Sequence, residues 1–177
     1  MPIFAPEPLI HYLCLHGGKD DWRRLSWICD VAAFLHRYPN LDWAAVLARV
    51  EASGAVRRLC LGVYLAHELL AVPVPPVLRE PIKAHRREIE KAAAVCQLLQ
   101  PGKPELPLGT FLSYQCRIRE RRRDRTGYLV AYVLTPKHWA LTGDLPAERF
   151  FFLYYLRRPR HVAGNYVRRL LRPSGAG

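Results

Sequence analysis

No stretch of this chain approaches the ~18–20 uninterrupted apolar residues that a membrane-spanning helix needs. The longest runs, 150–156 and 129–134, are short and flanked by arginine or proline. The opening Met1-Pro2-Ile3-Phe4-Ala5-Pro6 has no basic residue ahead of an apolar segment and no small-residue cleavage site, so it does not read as a secretory signal. The expectation is a protein without a membrane span, located in the cytoplasm. Cys-x-x-Cys pairs are also absent. Cys14, Cys29, Cys60, Cys96 and Cys116 are odd in number and far apart, which argues against a disulfide framework or a zinc site and for five reduced thiols acting as small buried hydrophobes. His67-Glu68 is not followed by a second histidine at helical spacing, and His11, Cys14 and His16 lack a fourth ligand nearby, so no metal site is expected. Acidic residues are scarce in the second half: residues 101–177 carry 15 Lys and Arg against 5 Asp and Glu, which is +10 of the net +12. Such asymmetry points to an anionic partner, whether nucleotide, nucleic acid or acidic protein surface.

What is present is helical periodicity, and half of the 177 residues are hydrophobic, enough for a sizeable core. The spacing predicts a first helix over 7–15, stopped by Gly17-Gly18, and a second that starts at once, capped by Asp20 or Asp21 and running from Trp22 toward Tyr38-Pro39-Asn40. A third helix is expected over 41–52. A fourth over 55–71 is apolar nearly all round and should be central to the core. Val72-Pro73-Val74-Pro75-Pro76 reads as a linker, because three prolines remove amide donors and force their neighbours extended. It divides a helical bundle, 1–72, from a basic helical region, 73–177, the two packing as one unit. Beyond it we expect a fifth helix over 79–100, one long helix or two joined near Thr126-Gly127 over 108–134, and short helices over 147–156 and 162–171 before a disordered tail. The fold class read from this pattern is all-α, a multi-helix bundle.

The run His16-Gly17-Gly18-Lys19-Asp20-Asp21-Trp22-Arg23-Arg24-Leu25-Ser26-Trp27-Ile28-Cys29-Asp30 resembles the His-Gly-Ala-Lys-His-x-Trp-x-Arg-Leu-Lys-Trp-x-x-Asp signature of the uncharacterised bacterial nucleotidyltransferase family. It departs from that signature at Gly18, Asp20 and Ser26. The resemblance continues through Leu41-Asp42-Trp43, Leu134-Thr135-Pro136, Leu145-Pro146 and the Tyr154-Tyr155 to Arg160 segment, similar to the family's closing Tyr-Tyr-x-x-Arg-Pro-x-Arg. It implies the helical, C-terminal part of such an enzyme. Upstream the family has a small mixed sheet of the polymerase-beta type, with an Asp-x-Asp pair and a third Asp. This sequence contains neither Asp-x-Asp nor Gly-Ser, and Met1 falls only a few residues before the first helical motif. Two-metal nucleotidyl transfer needs carboxylates that hold the Mg²⁺ ions. The resemblance therefore implies Mg²⁺ and a nucleoside triphosphate for a complete family member, while no cofactor and no catalytic residue are assigned to this chain. Transfer activity would require a partner chain supplying the sheet.

Two constellations are candidate sites. Lys19, Arg23 and Arg24 are read at and just beyond a helix N-terminus, whose free amides and positive potential suit phosphate. By the resemblance this helix faces a nucleotide cleft, with Lys19 and Arg24 on the triphosphate and Asp30 orienting an arginine or the substrate. The bland alternative pairs Asp30 with Arg23, Arg37 or a backbone amide. The second constellation is Arg117, Arg119, Arg121, Arg122, Arg123 and Arg125, flanked by Tyr114 and Tyr128. It would place arginines on RNA phosphates and tyrosines under bases, or be a solvated or internally paired helix. The function expected first is thus a nucleotide-side helical portion of a nucleotidyltransferase-family protein, inactive alone. The alternative is a stand-alone basic helical module that binds RNA or an acidic protein.

Overall fold

The computed structural model of the chain describes residues 5–98 and 107–134. Every regular element in them is helical, as the periodicity predicts: α1 (Pro6–Lys19), α2 (Leu25–Arg37), α3 (Trp43–Ser53), α4 (Val56–Leu70), a 3-10 turn (Pro76–Leu78), α5 (Arg79–Ala84), α6 (Arg86–Leu98), α7 (Leu108–Arg117) and α8 (Arg122–Leu134). The helices expected over 147–156 and 162–171, the aromatic segment from Phe150 and the tail lie outside the described residues. Among those described, no helix is long and apolar enough to cross a membrane.

The expected centre of the core is where the apolar run puts it. Leu59, Cys60, Leu61, Gly62, Val63, Leu65 and Ala66 of α4 are buried, and α1, α2, α3, α5 and α6 all pack against that helix. Ile10 and Cys14 of α1, Ile28, Val31 and Phe34 of α2, Val46 and Val50 of α3, and Ile89 and Ala93 of α6 complete one apolar cluster. Local signals set the ends of α3: the Asp42 carboxylate accepts from the Ala45 amide at 3.0 Å, and Gly54 closes the helix at φ 66°. Residues Met1–Arg125 form one compact unit and Thr126–Gly177 a second.

Four expectations need correction. Gly17-Gly18 does not stop α1, which continues to Lys19, and Trp22 belongs to a turn rather than to α2. The helix closes with the six-to-one bond of a Schellman-type end: after a last helical bond from the Asp20 amide to the His16 carbonyl, the Trp22 amide donates to the Gly17 carbonyl at 2.9 Å. Asp21, at φ 59°, takes the left-handed position that glycine usually holds. Gly17, with Gly62 of α4, serves a close approach instead. A Cβ on Gly17 would come within 2.6 Å of the Trp22 ring, and one on Gly62 within 2.8 Å of Cys14 Sγ and 2.9 Å of the same ring. The indole therefore lies in a slot between α1 and α4.

The helix expected over 79–100 is broken at His85, whose Nδ1 accepts from Arg57 Nε of α4 at 3.4 Å. The segment 108–134 breaks at 118–121, not at Thr126-Gly127; Gly127 lies within α8. At the break, Glu120 crosses to α4 and accepts from the Arg57 amide at 2.6 Å, satisfying a donor at that helix start that no side chain on α4 caps. Finally, Cys14, Cys60 and Cys96 are buried as expected, but Cys29 is exposed and Cys116 half-buried. Cys29 follows Ile28 and falls off the stripe that α2 turns inward. Burial pushes the Cys60 and Cys96 thiols up to about 12, which keeps them as inert packing groups at neutral pH.

Candidate nucleotide site on the α1–α2 face

The turn between α1 and α2 carries three of the four residues that the motif singles out. Lys19 is exposed, but it ends α1 instead of beginning the next helix. The terminal carbonyls of α1 around it are all satisfied within the protein: His16 and Gly17 by the turn amides, Gly18 by the Tyr114 hydroxyl at 3.4 Å, and Lys19 by the Gln115 amide at 3.1 Å. Arg23 lies in the turn, with its side chain more than half exposed, and reaches Asp21 Oδ2 at 3.4 Å. Arg24 is the N-cap residue of α2, has no side-chain hydrogen bond to the helix, and is followed by a first turn with no acid. That 13-residue helix thus begins with amides uncapped by any side chain and with two arginines beside them.

Asp30 stands on the exposed surface of α2, one helical turn past Ser26 and Trp27. Arg23 pairs with Asp21, so it is not Asp30's partner as the bland reading allowed.

Three further residues were not recognised from the sequence as part of this face. The rings of Tyr12 and His16 stack at 5.9 Å with an interplanar angle of 11°. His16 meets Trp27 edge-on at 5.2 Å, and the Arg24 guanidinium lies over the Trp27 ring at 5.7 Å. Asp20 reaches His16 Nδ1 at 3.8 Å. The Tyr12-to-His16 and Arg24-to-Trp27 spacings, four and three residues, are signals that could have found each pair. The meeting of the two pairs comes from the crossing of α1 and α2. Together they form an outward aromatic strip ending in a cation beside an open helix start, with planar faces for a base and positive charge for phosphate.

Beneath this face lies a buried polar network. Asp21 is 1 % exposed and accepts a hydrogen bond from Gln115 Nε2 of α7. Gln115 in turn accepts from Arg119 Nη1 at its side-chain oxygen and at its carbonyl, both at 2.6 Å. Burial raises the Asp21 carboxyl to about 6, against the opposing pull of Arg23 and Gln115. The network fixes the Asp21-Trp22 turn, and with it the direction in which Arg23 and Arg24 leave α1.

The carboxylates here do not fit the Mg²⁺ that a complete nucleotidyltransferase would need. Asp21 is buried against Gln115 and Arg23, Asp20 faces His16, and Asp30 stands apart on α2. Among the described residues no three His, Cys, Asp or Glu side chains come together as a metal site.

The arginine-rich segment is not one face. Arg119 turns inward to Gln115. Arg121 Nη2 donates to the Glu51 and Ala52 carbonyls that end α3, both at 2.8 Å. Arg125 donates to the carbonyls of Arg119 and Glu120 at 2.8 and 3.2 Å. Arg117 ends α7, and its carbonyl accepts from Arg57 at 3.3 Å. Arg122 and Arg123 are exposed on the first turn of α8, Arg123 within 3.4 Å of Asp124.

Neither a curated protein sequence nor a solved structure matches the chain. A family match spans residues 1–71 and carries the description uncharacterised nucleotidyltransferase. Its limit coincides with the left-handed Ala71 that closes α4, so the matched segment is the four-helix unit bearing the α1–α2 face. Residues 1–71 are thus similar to the uncharacterised nucleotidyltransferase family, a likeness that covers less than half of the chain.

Proposed function

We propose that the chain is the nucleotide-side helical portion of a nucleotidyltransferase, and that the α1–α2 face binds a nucleoside triphosphate without transferring it unaided. The triphosphate lies at the start of α2 with Arg23, Arg24 and Lys19, and the base against the Tyr12–His16–Trp27 strip. The observation that carries this reading is the uncapped, acid-free start of α2, with Arg24 held over Trp27 beside it. Transfer would need metal-holding carboxylates from a partner chain, since the sequence has no Asp-x-Asp and its nearby acids are engaged or scattered.

The RNA reading has less support. Three of its six arginines donate to main-chain carbonyls, so fewer remain to track a phosphate backbone. An experiment separates the readings. Purified chain incubated with a nucleoside triphosphate and Mg²⁺ should release no pyrophosphate above the protein-free rate, and should elute from immobilised RNA at low salt. Pyrophosphate release that tracks the chain would overturn the proposal of inactivity alone. Retention on RNA that falls steeply with salt and is lost in Arg122→Ala/Arg123→Ala would move the reading to the basic module.

A further inference from the structure

A cleft of about 600 Å³ opens between α1 and α3, lined by His11 of α1 and by Ala45, Arg49, Ala52 and Ser53 of α3. His11 precedes Tyr12 by one position, about 100° round the helix, so this cleft is on a different side of α1 from the aromatic strip. His11 Nε2 and Ser53 Oγ are 3.2 Å apart, and the Ser53 hydroxyl donates to the Val50 carbonyl at 3.1 Å. A serine hydroxyl has one proton. With that proton on Val50, the serine oxygen accepts from His11 Nε2, and the second ring nitrogen remains for another partner, as a donor once the ring is protonated.

The charge around His11 is one-sided. Burial, then Arg49, then Arg58 of α4 hold its ring below the usual histidine range. Glu7, one turn earlier on α1, is the nearest acid along that helix and does not offset them. Neither Arg49 nor Arg58 forms an ion pair among the described residues, and Arg58 Nε is buried without a hydrogen-bond partner. Desolvation lowers the Arg58 guanidinium, only partly countered by the fields of Asp124, Tyr114 and Glu120. Two guanidinium groups and an imidazole thus act on one open cleft, with neither guanidinium in an ion pair among the described residues.

We infer that the α1–α3 cleft is an anion subsite for a phosphate group, held by His11 and Arg49, with Ser53 orienting the imidazole and the field of Arg58 added. Phosphate suits it better than a carboxylate because it offers more acceptor oxygens and more charge to the donors that converge there. An anion in the cleft relieves the repulsion between the cations and favours the doubly protonated His11 ring. Inorganic phosphate, the phosphoryl group of a mononucleotide and a polynucleotide backbone share this chemistry. The subsite does not depend on the nucleotide reading of the α1–α2 face.

The test follows the His11 ring signals by NMR in the full chain, titrated in turn with inorganic phosphate, AMP and a single-stranded RNA oligomer lacking terminal phosphates. At least one probe should move the His11 signals and raise the pH at which the ring titrates. Its affinity should fall roughly tenfold or more in Arg49→Ala and stay unchanged in Arg24→Ala. A response to phosphate and AMP but not the oligomer assigns a terminal or free phosphate, and a response to the oligomer assigns a backbone. His11 signals unmoved by all three probes, or shifts that survive Arg49→Ala, or shifts lost in Arg24→Ala, overturn the inference. Failure of the α1–α2 reading would leave these results untouched.

Discussion

Trp22→Ala should lower the unfolding free energy by about 3–5 kcal/mol, the range for removing a fully packed aromatic ring. Trp22 is 3 % exposed and lies in the slot made by Gly17 and Gly62, with Cys14 alongside. The vacated space cannot easily close, because the two walls are helical backbone on α1 and α4. The loss should be visible as a lower urea midpoint at constant m value. Trp22→Phe should cost well under half as much. It keeps most of the ring and removes the indole Nε1, which is buried without a hydrogen-bond partner, a group whose desolvation opposes folding by about 1–3 kcal/mol. If the alanine and phenylalanine variants were equally destabilised, the cost would lie elsewhere than in filling the slot.

A second large effect concerns Asp21 and pH. Its carboxyl titrates near 6 in the folded protein and near the ordinary aspartate value of about 3.9 when unfolded. Between those values the folded state binds more protons than the unfolded one. Stability contributed by this group is therefore full below about pH 4 and is lost as pH rises through about 6, a difference of up to about 3 kcal/mol. Asp21→Asn removes the titration. Asparagine still offers an oxygen to Gln115 Nε2 and tolerates the left-handed backbone, while Arg23, already more than half exposed, can turn to solvent. The variant should be more stable than the parent at pH 7.5 by about 1–3 kcal/mol, nearly equal at pH 4, and without the parent's decline between them. Denaturant melts at four or five pH values decide it. A variant weaker than the parent at pH 7.5 would mean that the Asp21 charge stabilises the turn.

Both effects arise where the sequence was least legible. The ends of α3 and the centrality of α4 follow from local chemistry, namely the Asp42 cap, the left-handed Gly54 and the nearly unbroken apolar run of 59–66. The end of α1 does not. A glycine pair is a reasonable helix stop, but Gly17 is required by an indole five residues on, pressed against Gly62 of α4, while a Cβ on Gly18 would make only ordinary contacts with Arg58 and Ile118 at 3.6 Å. Aspartate then fills the left-handed position because Gln115 of α7 holds its side chain, a contact no local window contains. The break at 118–121 has the same origin: Glu120 caps α4, and Arg119 turns back to Gln115.

The candidate site divides in the same way. Lys19, Arg23 and Arg24 stand out in the motif, whereas Tyr12, His16 and Trp27 become one strip only when α1 and α2 cross. The arginine count of 117–125 is plain in the sequence. That Arg119, Arg121 and Arg125 serve as caps and clamps on carbonyls depends on which helix ends they meet.

The most direct test of nucleotide binding at the start of α2 is a calorimetric titration of the chain with ATP in metal-free buffer, repeated for Lys19→Ala, Arg24→Ala and Arg122→Ala. Binding should be measurable, weakened roughly tenfold or more by Arg24→Ala, weakened to a lesser degree by Lys19→Ala, and unchanged by Arg122→Ala. No binding to the parent chain, or equal affinity in the parent and Arg24→Ala, would contradict it.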